Sequence, residues 1–342
     1  MRNAVRACPG APCARRRNAE SLERPVNVRT MRLHTEGSPL EDASPELGNT
    51  EDRCFACFST RVEHVSGFRD HHTLLERQYA LVVCAGCGSA RLAETLSPQE
   101  QAAVYPPTFY SYVPSADRHP LLAVLDKLRY DRHRFRPRFK SLLEVGSGCG
   151  EFLATIKNRG KVVGLERSTA ARQVASGLGI DVRVGDVTDA RIFGEAAFDY
   201  IYLSHSFEHL DDPAAALASM RRWLDANGKL FVAVPNYAGA LPRLFPKAWY
   251  NLALPLHVSQ FTPSGITMLL ERNGFTVDKI RYNSDPFSIP MSVFFARSGN
   301  VASLNAYVKA IVFASALALI PVSRLLDFLR RGDCMEVYAH KS

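Results

Sequence analysis

No stretch of this chain is long and apolar enough to suggest a membrane span. The longest uncharged apolar run, Ala310 to Ser323 between Lys309 and Arg324, falls about four residues short of the ~18 that a spanning helix needs. Pro321 also interrupts it. A targeting signal is missing, because the Arg15-Arg16-Arg17 run leads into Asn18, Ala19 and Glu20 rather than an apolar stretch. A cytoplasmic location is therefore expected. Large apolar groups are scarce over residues 1–50, which are rich in Arg, Pro, Ser, Glu and Asn, so this part is expected to be a disordered basic tail. Its arginines lack the interleaved aromatics of a nucleic-acid stacking surface. No internal repeat is present, which argues against a solenoid.

What is present is an ordinary globular composition, 46% hydrophobic over 342 residues, enough for one large core and a small appendage. The net charge of +8 is unevenly placed. Residues 1–30 contribute +5 of it through seven arginines against Glu20 and Glu23, leaving a nearly neutral body. That body argues against a nucleic-acid partner. The expected organisation is a tail over 1–50, a zinc-binding module over 51–115, a helical connector over 116–140 and a catalytic domain over 141–342. In the connector Leu121, Leu122, Leu125 and Leu128 recur at helical spacing before Pro137.

From Ser141 onward short apolar runs alternate with amphipathic stretches. This is the pattern of an α/β fold with a doubly wound, mostly parallel, Rossmann-like sheet. Seven strands are expected, at Leu142–Val145, Val162–Leu165, Val182–Val184, Tyr200–Leu203, Leu230–Val234, Val277–Tyr282 and Met335–Ala339. Between the last two lies an inserted apolar helical segment, about 301–330.

Two Cys-x-x-Cys pairs, Cys54/Cys57 and Cys84/Cys87, stand 26 residues apart. Each pair presents two thiolates from one knuckle, and four thiolates complete a closed tetrahedral Zn2+ shell, as in a zinc-ribbon-like module. Gly86 and Gly88 suit the second knuckle if it needs positive backbone angles. With every coordination position filled, such a zinc is structural. Cys8, Cys13 and Cys334 suggest no partner, and Cys149 fits a glycine loop as a small side chain.

That loop, Gly146-Ser147-Gly148-Cys149-Gly150, follows the first strand and precedes a helical stretch. A dinucleotide fingerprint would need glycine where Glu151 stands. Glu144, two residues ahead of the loop, would repel a pyrophosphate but suits a cationic aminoacid-sulfonium ligand. Glu166 closes the second strand, where a carboxylate accepts from both ribose hydroxyls, and Asp186 follows the third, within reach of an adenine amine.

With these residues in view, the chain resembles the class I S-adenosylmethionine-dependent methyltransferases, within them the group with an E-H-L-x-D-P segment. The matching residues are Leu143 to Gly150, Val163-Gly164-Leu165-Glu166, Phe198-Asp199, Glu208-His209-Leu210-Asp211-Asp212-Pro213 and Pro235-Asn236. Pro255-Leu256-His257, Phe261 and Asn273-Gly274-Phe275 continue the match, which covers roughly 141–284. The resemblance implies S-adenosyl-L-methionine as cofactor, held by the glycine loop with Ser147, by Glu144, Glu166 and Asp186, and by Ser204 at the end of the fourth strand. A similar pair of cysteine knuckles, followed by a Tyr-rich segment (Tyr105, Tyr110, Tyr112), occurs in bacterial methyltransferases of sugar and polysaccharide biosynthesis. Those relatives imply a small-molecule or glycan acceptor.

Departures from related patterns are informative. Leu203-Ser204-His205-Ser206 differs from the N/D-P-P-Y/F segment that resembles base-N-methylating enzymes. Related quinone-type O-methyltransferases carry a carboxylate where His205 stands, which puts a metal-assisted mechanism in doubt. Methyl transfer to a hydroxyl needs a base, and His205 and His257, both expected on the carboxyl-end side of the sheet, are the candidates. Glu208 reads as a helix-start acid and no more. The apolar segment Tyr307 to Leu329 is expected to pack on the sheet or in a dimer contact. The alternative is an interfacial helix at the inner membrane serving a lipid-linked acceptor. An RNA methyltransferase and a cofactor-binding scaffold without activity are the rival functions.

Overall fold

The computed structural model describes residues 53–75, 77–106, 109–112 and 137–342. The expected basic tail, with Cys8 and Cys13, and most of the expected connector lie outside these residues.

Eleven strands are described: β1 Val62–Arg69, β2 Gln78–Cys84, β3 Ala90–Leu92, β4 Ser141–Val145, β5 Lys161–Glu166, β6 Asp181–Val184, β7 Phe198–Ser204, β8 Leu224–Pro235, β9 Ser259–Gln260, β10 Phe275–Tyr282 and β11 Cys334–Lys341. Seven of them form one sheet in the order β10-β11-β8-β7-β4-β5-β6. Only β11 runs against its neighbours, pairing antiparallel with both β8 and β10. All seven strands read from the sequence are present. β4 and β7 are buried on both faces, which is why each appears as a nearly unbroken apolar run.

The helices start as their sequences dictate. Ser168, Asp212 and Thr262 each accept a backbone N–H three residues on, and Pro213 and Pro263 occupy the first helical position of the last two. The strand order reverses between β4 and β7, the edge-free place where open α/β sheets bind ligands.

The cysteine-bearing strands do not stand apart. β1, β2 and β3 form an antiparallel sheet completed by β9, which comes from the chain after β8. At this seam Thr262 Oγ1 donates to Cys87 O at 2.6 Å and accepts from Gly265 N at 3.0 Å, while Thr262 N donates to Ser89 Oγ at 3.1 Å. A side chain at Gly265 would bring a Cβ within 2.0 Å of Ser89 Oγ, so the close approach requires glycine. Cys54, Cys84 and Cys87 share one buried cluster with Phe261 and the core of the large sheet.

The segment between β10 and β11 departs from expectation. Helices Ala306–Ala318 and Ile320–Phe328 meet at a bend of 48°, with Pro321 opening the second. Only Val312, Ala316 and Ser323 are buried in them. Packing on the sheet, one half of the expectation, is slight: Ile320–Phe328 touches β10, and Asp327 Oδ1 accepts from Ser284 N at 2.9 Å just beyond that strand. Ala306–Ala318 rests on helix Ser288–Ser298, through Val308 and Val312 against Met291 and Phe295. The rest of the surface of the pair is open, and the dimer contact, the other half of the expectation, lies between chains.

Thr262→Val keeps the shape of the side chain and removes the hydroxyl's bonds to Cys87 O, Gly265 N and Ser89 Oγ at the seam. It should destabilise the chain by about 1–3 kcal/mol in a denaturant titration, the sum expected for a lost cap and an unpaired buried carbonyl. A stability within error of wild type would show that the seam is held by other contacts.

Candidate active site

A cavity of about 390 Å3 opens at the carboxyl ends of β4, β5 and β7. The glycine loop forms its floor. Gly146, Gly148 and Gly150 have φ of 74°, 51° and 76°, so alternate loop residues occupy the left-handed region and the chain turns back onto β5. Gly146 N donates to Leu165 O at 2.8 Å. The same glycines admit close neighbours: a Cβ at Gly146 would meet Ser206 Cβ at 2.5 Å, and one at Gly148 would meet Ser111 O at 2.5 Å. Ser111 O accepts from Cys149 N at 3.0 Å, so the Tyr-rich segment expected from the sequence closes over the loop and puts Tyr105 and Tyr112 on the cavity wall.

Glu166 is buried and braces the floor, accepting from Gly148 N at 3.0 Å and Ser168 N at 3.1 Å. Lone pairs remain on its oxygens for ribose hydroxyls. Glu144 is also buried, and its Oε2 has no hydrogen-bond partner among the described residues. Burial, and then the neighbouring Glu166 charge, push the Glu144 carboxyl well above its usual range. Ser147 Oγ is likewise buried without a partner, in space opened by the absent side chain of Gly164. Both residues line the cavity, and a buried acid next to a second acid is the setting a ligand with a cationic group would satisfy. The residues therefore fit an aminoacid-sulfonium cofactor.

Ser204 lines the same cavity at the end of β7. Asp186 does not line it: Thr188 donates to Oδ1 through its N and Oγ1, and Arg167 binds Oδ2. Burial alone would raise the Asp186 carboxyl, but the bonds from Thr188 and Arg167 hold it below its usual value. Gly185 and Val187, on either side, do reach the wall.

Opposite the glycine loop stand histidines. His205 follows β7 with φ of 52°, a left-handed conformation that costs a non-glycine residue about 1 kcal/mol, and its N–H donates to Ala233 O at 2.8 Å. Its imidazole lines the cavity, as does that of His209. His209 Nδ1 lies 2.8 Å from Leu256 O and 2.9 Å from the Tyr105 hydroxyl. His257 sits behind this wall rather than on it, with Nδ1 2.8 Å from Asn251 O. A carbonyl can only accept, so Nδ1 carries the proton in both rings.

Between them Glu208 is fully buried, and neither oxygen has a hydrogen-bond partner among the described residues. His205 Nδ1 is 3.4 Å and His257 Nε2 3.9 Å from its Oε1. Burial pushes the Glu208 carboxyl up, but the imidazoles of His205, His209 and His257 outweigh it and hold it at about 2. Burial, and then His209, push His257 down to about 3. The sequence reading of Glu208 as a helix-start acid missed this placement. The signal was available in the repeated histidines at 205, 209 and 257, but which of them share a carboxylate depends on how the chain after β8 folds back.

The four cysteines also converge. Their sulfurs all lie within 4.8 Å of one another, with Cys54 to Cys87 at 3.6 Å and Cys57 to Cys84 at 3.5 Å. The two knuckles have the same backbone form. Phe58 N donates to Cys54 O and Gly88 N to Cys84 O, both at 2.9 Å, and these two residues have φ of 58° and 76°. The left-handed position is thus Gly88 and Phe58, and Gly86 does not take it.

Residues 115–280 match the family described as a methyltransferase domain. A ubiquinone biosynthesis O-methyltransferase of Xanthomonas axonopodis pv. citri is 27% identical, over 36% of this chain and 60% of that protein. An uncharacterized 37.1 kDa protein in transposon TN4556 of Streptomyces fradiae is 25% identical, over 56% of this chain and 58% of that one. The chain thus spans less than two thirds of the length of either relative. Among solved structures, a SAM dependent methyltransferase from Archaeoglobus fulgidus superposes with a TM-score of 0.43 and 18% identity, covering 64% of this chain and 93% of that one.

If Glu144 is neutral in the empty site and ionised beside a cation, ligand binding releases a proton. S-adenosylmethionine affinity should then rise with pH until the raised Glu144 pKa is passed and level off above it. Glu144→Gln should remove that slope. Calorimetric titration across pH, in buffers of different ionisation heat, checks this; an unchanged slope in the variant assigns the proton elsewhere. The cavity with its glycine loop and buried acids thus falls largely within the part of the chain, residues 115–280, that matches the methyltransferase domain family.

Proposed function

We propose that this protein transfers a methyl group from S-adenosylmethionine to a hydroxyl, or an acidic carbon, of a small-molecule or sugar acceptor, with His205 as the base. The observation that carries this reading is His205 on the cavity wall, backed by the buried Glu208 carboxylate. A neutral amine attacks a sulfonium methyl without prior loss of a proton, whereas a hydroxyl needs an acceptor for its proton. An imidazole beside an ionised carboxylate suits that task, because the carboxylate stabilises the imidazolium that forms.

The bound cofactor supplies the electrophilic methyl carbon. With it bound, an acceptor oxygen would take that carbon as the carbon–sulfur bond breaks and S-adenosylhomocysteine leaves, and His205 would take up the acceptor proton. Glu144, Glu166 and the glycine loop hold the cofactor, and Tyr105 and Tyr112 cover the site and exclude water. The left-handed strain at His205 fits a residue held for function rather than for packing. The ubiquinone-pathway relative, by its name an O-methyltransferase, agrees with oxygen as the target. The sugar acceptor rests on the cysteine knuckles and the Tyr-rich segment.

Label from methyl-labelled S-adenosylmethionine should appear in hydroxyl-bearing sugar nucleotides when a panel of them is incubated with the protein. His205→Ala should lower the rate about 100-fold or more while leaving cofactor affinity within about twofold. Label entering RNA instead would establish the rival nucleic-acid reading. Bound cofactor with no transfer to any acceptor would favour the inactive scaffold.

We also propose that the cysteines hold structural Zn2+. Tetrahedral Zn–S bonds of about 2.3 Å set sulfur separations near 3.8 Å, close to the 3.5 and 3.6 Å found here. Ala56 N and Gly86 N also point at Cys54 and Cys84 sulfurs, at 3.4 and 3.3 Å, as thiolate acceptors require. Metal analysis of carefully reduced protein should find one zinc per chain, lost in Cys87→Ser together with several degrees of thermal stability. Metal-free protein of unchanged stability would overturn the assignment.

A further inference from the structure

Helices Ala306–Ala318 and Ile320–Phe328, the last two before β11, leave apolar residues exposed and bury few. In Ala306–Ala318 the exposed positions include Tyr307, Ile311, Ala314 and Ala318, spaced four, three and four apart, so they form one stripe along the helix. After the bend, Val322, Leu325, Phe328 and Leu329 are exposed as well. Tyr307 is 75% and Phe328 83% exposed, whereas Ser323 is buried. An apolar face of this extent on a water-soluble chain marks an interaction site.

The charges carried by this stretch of chain are almost all of one sign. From residue 297 to 331 the cations are Arg297, Lys309, Arg324, Arg330 and Arg331, all exposed, against the single acid Asp327. Asp327 is already engaged by Arg324 at 3.0 Å and by Ser284 Oγ at 2.6 Å. This segment alone carries a surplus of four positive charges. Long basic side chains can lie along an apolar face with their heads at its rim.

We propose that this helix pair docks on an anionic lipid bilayer, lying in the headgroup region with its apolar face toward the acyl chains. Charge complementarity selects that occupant. A second copy of the chain meeting the same face would set its cations against these, whereas anionic headgroups attract each nearby lysine or arginine. By length and composition the bent pair could enter a membrane together, but its geometry favours lying along the surface. No single helix among the described residues is long and apolar enough to cross a membrane, and the 48° bend turns the two helices away from one axis. Tyr307 and Phe328, the most exposed apolar side chains of the pair, have the character of interfacial anchors. The inference rests on this surface alone and stands whether or not the proposed acceptor is correct.

The test uses the full chain and sedimentation with phosphatidylcholine vesicles, with and without phosphatidylglycerol. The protein should co-sediment with the anionic vesicles at low salt, release as salt is raised and bind the neutral vesicles more weakly. Ile311→Asp combined with Phe328→Asp should lower the bound fraction about tenfold while the thermal transition and cofactor binding persist. Lys309→Glu combined with Arg297→Glu should weaken anionic binding without touching the apolar face. Failure of the wild-type chain to bind anionic vesicles at low salt would overturn the proposal, as would equal binding by the Ile311/Phe328 variant. A solution dimer that the same variant disperses, with no vesicle binding, would reassign the face to self-association.

Discussion

Two carboxylates, Glu144 and Glu166, are buried at the ends of adjacent parallel strands, and like charges withdrawn from water cannot both remain ionised without compensation. The protein meets this constraint unequally. Glu166 is tied to two backbone N–H groups and braces the glycine loop, while Glu144 is left with an unpaired oxygen and a raised pKa. The site is thereby primed for a cation. The three left-handed glycines, the close approach of Ser111 and the absent side chain at Gly164 all bring the chain near enough to enclose these acids.

Across the cavity the same physics recurs with opposite sign. Glu208 is buried, but it lies among histidines, of which His205 with Nδ1 3.4 Å away does most to favour its ionised form. A lone buried carboxylate would cost several kcal/mol, so the histidines and the acid are best regarded as one unit. Their elements are far apart in sequence. His205 and Glu208 follow β7, whereas His257 is placed by the loop that enters β9, the strand shared with the cysteine sheet. The cysteine knuckles, through Ser89 and Thr262, thus adjoin the segment that backs the histidine wall of the cavity.

Much of this was legible in the chain itself. Strands buried on both faces announce themselves as short apolar runs, and helices with Asp212-Pro213 or Thr262-Pro263 at their starts announce where they begin. The cysteine spacing and the carboxylates at the ends of β4 and β5 were equally readable, because each depends on residues close in sequence. Three placements were not. Asp186 turned to Arg167 and Thr188, His257 withdrew behind His205, and the apolar helices near the C-terminus went to the surface instead of the core.

The division has a physical origin. Period, capping and ligand spacing are local properties, set by backbone geometry within a few residues, and by themselves they determined the α/β sheet, the glycine loop and the paired knuckles. The competition among partners for a side chain is settled only when distant segments pack. Arg167 reached Asp186, Leu256 O and Tyr105 OH came to His209, and helix Ser288–Ser298 offered Met291 and Phe295 to a narrow strip of the following helix. The tertiary structure alone therefore decided which histidines line the cavity, which acids keep unpaired oxygens and which apolar face remains open.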